Sequence, residues 1–81
     1  MIKIYSTDFC GFCTKAKELL DEMNIPYEAI NIYEDADAME TMREMEFATV
    51  PQILIDDVWI GGYVELSEMQ EAGVLATLIT T

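Results

Sequence analysis

Cys10 and Cys13 are the only cysteines in the 81-residue chain, and only Gly11 and Phe12 separate them in the stretch DFCGFCTKAKELL. Two thiols at this spacing can serve a metal, a staple, a packed core or a redox reaction. Tetrahedral zinc takes four ligands, and with two cysteines and no histidine the chain cannot close such a site alone. A disulfide around so small a loop contributes only about 2 kcal/mol in the chain-entropy model, and a cytosol would keep it reduced. Free cysteine is often plain core. The redox reading is the strongest, because the pair falls where a strand hands over to a helix, and C-x-x-C inside a strand–helix–strand unit is a redox pattern.

That chemistry asks for a thiolate, since the thiolate and not the thiol is the nucleophile. Cys10 precedes the first turn of the expected helix. Unpaired amides and the helix dipole favour an anion there, by about 0.3–2 kcal/mol. Cys13 lies one turn further in, within disulfide reach, and is the natural resolving thiol. Gly11 between them leaves this turn less rigid than a proline would.

The elements that must carry the pair follow from periodicity. Ile2–Ser6 alternates apolar and polar and reads as a strand. Phe12, Ala16, Leu19, Leu20 and Met23 recur at helical spacing, so a helix is expected from about Gly11 to Met23, ended by Asn24 and Pro26. Tyr27–Ile32 reads as a second strand, parallel to the first through a right-handed crossover. Asp37 and Glu40 have capping-box spacing and open a short second helix that continues through Met39, Met42 and Met45. After Pro51, Ile53–Ile55 and Val58–Ile60 flank Asp56-Asp57 as an antiparallel hairpin. Gly61-Gly62 breaks the strand, and a last helix from about Glu65 carries Leu66, Met69, Leu75, Leu78 and Ile79, interrupted at Gly73. The order βαβαββα predicts an α/β domain, a mixed four-stranded sheet with helices on both faces.

The chain is one domain in length, residues 1–81, and just over half its residues are apolar. Sixteen acids against four bases give a formal charge of −12. This disfavours nucleic acid, whose backbone needs clustered Lys and Arg. No apolar run approaches the ~20 residues of a membrane span. IKIYS directly after Met1 lacks the features of a signal peptide, so the expected location is cytoplasmic. Of the four bases, Lys15 and Lys17 follow the cysteines directly, and only Lys3 and Arg43 lie elsewhere.

Three separated segments, CGFC (Cys10–Cys13), ATVPQILI (Ala48–Ile55) and WIGGYVEL (Trp59–Leu66), together resemble a glutaredoxin over essentially the whole chain. The resemblance implies a thioredoxin-like fold with strand order 4-3-1-2, strand 3 antiparallel and about three helices. It implies a glutathione-dependent thiol–disulfide oxidoreductase: Cys10 attacks a disulfide, Cys13 or glutathione resolves it, and glutathione restores the dithiol. It implies a cis Pro51, preceded by Thr49 and Val50, with the Val50 backbone paired to glutathione. Gly62, Tyr63, Val64 and Glu65 fall where the family holds the γ-glutamyl end. Phe12 is expected to contact substrate, Lys15 to take the glycyl carboxylate, and Arg43 to be a weaker second for that role.

Gly-Phe stands where the commonest dithiol motif has Pro-Tyr. It is the pair typical of monothiol glutaredoxins, which carry a [2Fe–2S] cluster with glutathione and have Ser in place of the second Cys. Two other functions therefore accompany the leading one: a cluster carrier using Cys10 and glutathione as ligands, and a redoxin reduced by a thioredoxin-reductase-type enzyme. Under the leading reading no resident metal is expected. The partners are glutathione and disulfide-bearing proteins, with ribonucleotide reductase as the family-level example, and the chain acts as a monomer without nucleic acid or membrane. Thr7 stands where many members place a basic residue, Glu65 replaces the usual Asp, and Val64 removes a side-chain hydroxyl.

Overall fold

A computed structural model describes residues 2–79; the side chains of Leu78 and Ile79, expected on the apolar face of the last helix, lie outside what it describes. The elements are β1 (Ile2–Ser6), α1 (Gly11–Glu22), β2 (Tyr27–Asn31), α2 (Ala36–Glu44), β3 (Gln52–Ile55), β4 (Val58–Gly61), α3 (Tyr63–Glu71) and α4 (Val74–Ile79). The sheet runs β2-β1-β3-β4. From its other edge this is 4-3-1-2, the order the resemblance implied. β1 pairs with β2 in parallel and with β3 antiparallel, so Ile4 faces Ala29 on one side and Ile53 on the other.

The alternation in β1 decides the two layers, because successive side chains leave opposite faces of a strand. Ile2 and Ile4 join Ala16, Leu19 and Leu20 of α1, Ile53 and Ile55 of β3, Leu66 of α3 and Leu75 of α4 in the larger core. Tyr5 points the other way, to a smaller core of Ile32, Ala38 and Met42 under α2, where Ile30, Phe47 and Val50 also pack. Ile4, Leu20, Ile53 and Leu66 are wholly buried, each worth about 1.5–3 kcal/mol relative to exposure.

Two expectations are corrected. The cap of α2 is Asp35, not Asp37: the Asp35 carboxylate accepts from Ala38 N–H at 3.1 Å. The turn after β2, in which Asp35 N–H donates to the Asn31 carbonyl at 3.1 Å, delivers the chain at that residue. Starting there puts Ala38 and Met42 on the buried face. Asp37 falls in the first turn, where a carboxylate suits the dipole, and Met45 is exposed at the C-cap. The last helix begins at Tyr63 rather than Glu65 and is two helices, because Gly73 adopts φ 76° after α3.

Helix ends aim the loops that build the site. α1 and α2 close with the same backbone pattern, in which a left-handed residue, Asn24 or Glu46, is followed by one whose N–H reaches back to the last turn. In α2 that residue is Phe47, bonded to the Met42 carbonyl at 2.9 Å. This turns the chain into the segment Ala48–Pro51. Asp56 and Asp57 both have positive φ, 50° and 68°, as the two-residue hairpin requires.

Candidate active site

Cys10 is the N-cap of α1, with extended backbone at φ −128° and ψ 111°. Its sulfur accepts the Cys13 N–H at 3.1 Å, and its thiol donates to the Val50 carbonyl at 3.6 Å. It therefore sits between the open amides of a helix start and the loop before β3. Both cysteines are free thiols; Cys10 is half-buried and Cys13 buried. Burial, reinforced by the hydrogen bond to Cys10, pushes the Cys13 thiol up to about 11 against weaker pulls from the Thr7 backbone and Lys17. Cys13 is thus a protonated thiol at neutral pH.

Beside Cys10 runs a groove of about 270 Å³ lined by Phe12, Thr49, Val50, Pro51, Gly62, Tyr63, Val64 and Glu65. Three separate segments meet here. Phe12 on the first turn of α1 stacks on Tyr63 at the start of α3, centroids 6.0 Å apart. The Val50–Pro51 bond is cis. Gly62 caps α3 without a side chain, which leaves the first-turn amides of Tyr63, Val64 and Glu65 without a side-chain cap from it. Glu65 reaches back instead, and its carboxylate accepts the Gly62 N–H at 2.7 Å. A Cβ on Gly61, at φ +120°, would fall on that carboxylate, and one on Gly62 would press on the Pro51 carbonyl oxygen at 3.2 Å. Glycine at 61 leaves room for the capping carboxylate, and glycine at 62 lets the helix start lie close to the Pro51 loop.

The two cations expected at the site lie outside this groove. Lys15 stands over the Phe12 ring, its Nζ 5.3 Å from the centroid. It lines a cleft with Glu18, Leu19, Glu22, Tyr63 and Gln70, on the far side of the aromatic wall. Arg43 lines a second groove, of about 370 Å³, with Thr7, Tyr33, Met39 and Phe47 among its walls. That groove shares Thr49 and Val50 with the first. The Arg43 groove thus adjoins the first at Thr49 and Val50, whereas the Lys15 cleft adjoins it at Tyr63, with Lys15 itself over Phe12.

Several site residues were not legible in advance. Gln52 is a buried amide bonded to both Thr49 and Trp59. The signal was one polar residue opening an otherwise apolar strand. Asn31 ties the loop before Cys10 to the loop after β2, donating to Asp8 at 3.1 Å and accepting Tyr33 N–H at 2.9 Å. Phe9, next to Cys10, is fully exposed, and no periodicity marks a residue in a loop. Among the described residues no three Cys, His, Asp or Glu gather as a metal cluster, and no helix is long and apolar enough to cross a membrane.

Comparison with known proteins agrees with this geometry. The glutaredoxin family matches residues 2–60. A glutaredoxin 1 of Rickettsia felis is 37% identical over 81 residues, covering 96% of this chain and 79% of that one. A glutaredoxin of Pseudomonas aeruginosa is 31% identical over 80 residues, covering 98% and 95%. The crystal structure of a buckwheat glutaredoxin–glutathione complex superposes with a TM-score of 0.84 at 25% identity, covering 98% of this chain and 76% of that one. With a CGFC dithiol at the start of α1, the strand order 4-3-1-2 and these relatives, the chain belongs to the glutaredoxin family, thioredoxin-fold thiol–disulfide oxidoreductases.

Proposed function

We propose that the protein is a glutathione-dependent dithiol oxidoreductase. The observation that carries this reading is the shared Val50: its carbonyl accepts from the Cys10 thiol, and the same residue walls the groove that ends at the α3 amides. A γ-glutamyl carboxylate suits those amides, since a helix N-terminus favours an anion. The Glu65 carboxylate beside them suits the neighbouring ammonium. An extended tripeptide pairing on Val50 would put its sulfur at Cys10 and its glycyl end towards Arg43. We assign that carboxylate to Arg43 rather than Lys15, because only Arg43 lines the continuing groove.

In the reaction the Cys10 thiolate attacks one sulfur of a disulfide, forms a mixed disulfide and releases the other sulfur as a thiolate. With a glutathione mixed disulfide, Cys10 takes the glutathione sulfur. A second glutathione thiolate then attacks that sulfur, releasing oxidised glutathione and Cys10. With a protein disulfide, Cys13 gives up its proton and attacks the Cys10 sulfur. The second protein thiol leaves, and two glutathiones reduce the Cys10–Cys13 disulfide. The proposed substrates are glutathione mixed disulfides and protein disulfides, that of a ribonucleotide reductase among them. The proposed setting is a monomer in the cytoplasm, where thiols are kept reduced.

The test is an NADPH-coupled assay run in parallel with glutathione plus glutathione reductase and with thioredoxin reductase. Turnover in the first and background in the second is the expected result. The reverse would replace this reading by that of a redoxin.

A further inference from the structure

We propose that Gln52 is a positioning residue that sets the direction of the Val50 N–H along the groove. Gln52 opens β3 and is 7% exposed. Its Nε2 donates to the Thr49 carbonyl at 2.8 Å and lies 3.4 Å from the Thr49 hydroxyl. Its Oε1 accepts the indole N–H of Trp59 at 2.6 Å. The orientation of this amide is decided chemically: an indole nitrogen only donates and a backbone carbonyl only accepts, so the flipped amide would lose both bonds. Trp59, the single tryptophan, is fixed in turn by the Phe47 ring at 5.2 Å.

The consequence lies in the peptide plane. In a trans peptide the C=O and the following N–H point in opposite directions in one rigid unit. Holding the Thr49 carbonyl on Gln52 therefore turns the Val50 N–H away from Gln52. The next carbonyl, that of Val50, is met by the Cys10 thiol. The segment is pinned on Thr49 by Gln52 and on Val50 by Cys10, and the Val50 N–H stays directed for a strand laid beside it. Gln52 touches no substrate; it acts through Thr49. The proposal rests on the reading that substrate pairs with the Val50 backbone.

A merely structural Gln52 would affect stability and leave substrate binding alone. Two substrates are therefore used, a peptide–glutathione mixed disulfide and a glutathione-free peptide disulfide, together with alkylation of Cys10 by iodoacetamide, which needs no groove. Gln52→Leu should raise KM roughly five- to tenfold, the effect of one lost positioned hydrogen bond, with kcat and the alkylation rate within about twofold of wild type. Gln52→Glu keeps the acceptor for Trp59 and loses the donor to Thr49, so its KM should rise as far while the Trp59 emission maximum stays put. Trp59→Phe should give a smaller rise. If Gln52→Leu does not fold, the other two variants carry the comparison. Wild-type KM on both substrates in a folded Gln52 variant overturns the proposal. So does a loss of Cys10 alkylation equal to the loss in KM, which would mean general damage to the site. A wild-type protein that saturates with the peptide disulfide but not with the glutathione substrate overturns the glutathione reading alone, and the effect of Gln52 is then read on the peptide disulfide.

Discussion

The Cys13 amide donates to the Cys10 sulfur at 3.1 Å, so the buried cysteine steadies the sulfur of the more exposed one. The arrangement is asymmetric. Cys10 faces the groove through Val50, while Cys13 is 1% exposed. Cys10→Ser should abolish turnover on every disulfide. Cys13→Ser should keep turnover on glutathione mixed disulfides and lose dithiol reduction of protein disulfides. Equal loss in the two variants would show that the roles are not divided in this way.

The raised thiol of Cys13 carries a pH signature. Burial moves it from 9.0 to about 11, so the folded state holds this proton more tightly than the unfolded chain does. The resulting stability is fully present below about pH 9 and is lost as pH rises towards 11. Reduced wild type should therefore lose on the order of 1–2 kcal/mol between about pH 8 and about pH 10.5 relative to Cys13→Ala. Urea midpoints of both proteins at the two pH values measure it. Identical pH profiles would mean that Cys13 is hydrated in solution.

The glycyl carboxylate distinguishes the two cations. Arg43→Glu should raise KM for a glutathione mixed disulfide several-fold, within the ~0–1 kcal/mol of an exposed ion pair, and Lys15→Glu less than about twofold, since Arg43 lines the groove that adjoins Val50 and Lys15 a cleft on the Tyr63 side. The opposite ranking would move the carboxylate to the Phe12 side. At a net charge of −12 the whole protein repels anionic glutathione. Moderate salt should thus leave KM unchanged or lower it.

Gly61 and Glu65 form a steric pair. A Cβ on Gly61 would displace the carboxylate that caps Gly62. Gly61→Ala should destabilise by about 1–3 kcal/mol through this clash and its left-handed backbone. In a double-mutant cycle Gly61→Ala with Glu65→Ala should cost less than the sum, because the clashing group is gone. Strict additivity in urea unfolding would argue against the contact.

Glu46 ends α2 at φ 58°, a conformation that costs a side-chain-bearing residue about 1–2 kcal/mol. Glu46→Gly relieves this, but frees the unfolded chain by about 0.4–1 kcal/mol. A net gain of up to about 1 kcal/mol is expected. A clear loss in thermal unfolding would show that the Glu46 side chain holds the turn into Ala48–Pro51.

Much of the protein was legible from local pattern. The Cys10–Cys13 spacing, the alternation of Ile2–Ser6, the helical repeat from Ala16 to Leu20 and the Asp56-Asp57 turn each report a short-range constraint: steric preference, periodicity or backbone handedness. These act within a few residues, and so the element order and the placement of the two cysteines at a helix start could be read directly. The start of α2 misled because Asp35 and Asp37 are both competent caps. Only the turn leaving β2, and the need to bury Ala38 with Met42, chooses between them.

What tertiary structure alone decided is which distant groups meet. Phe12, Thr49–Pro51 and Gly62–Glu65 share one wall because α1, the loop before β3 and the start of α3 converge at one end of the sheet. Sequence position alone favours Lys15, beside the CGFC motif, over Arg43 for the glycyl carboxylate. Yet helix rotation sends one over the Phe12 ring and the other into the groove beyond Val50. The Gln52–Trp59 bond depends on the hairpin register between β3 and β4. Such contacts arise from the packing of whole elements, whose relative rotation and register are set by the buried faces of the entire chain, and no local stretch encodes them.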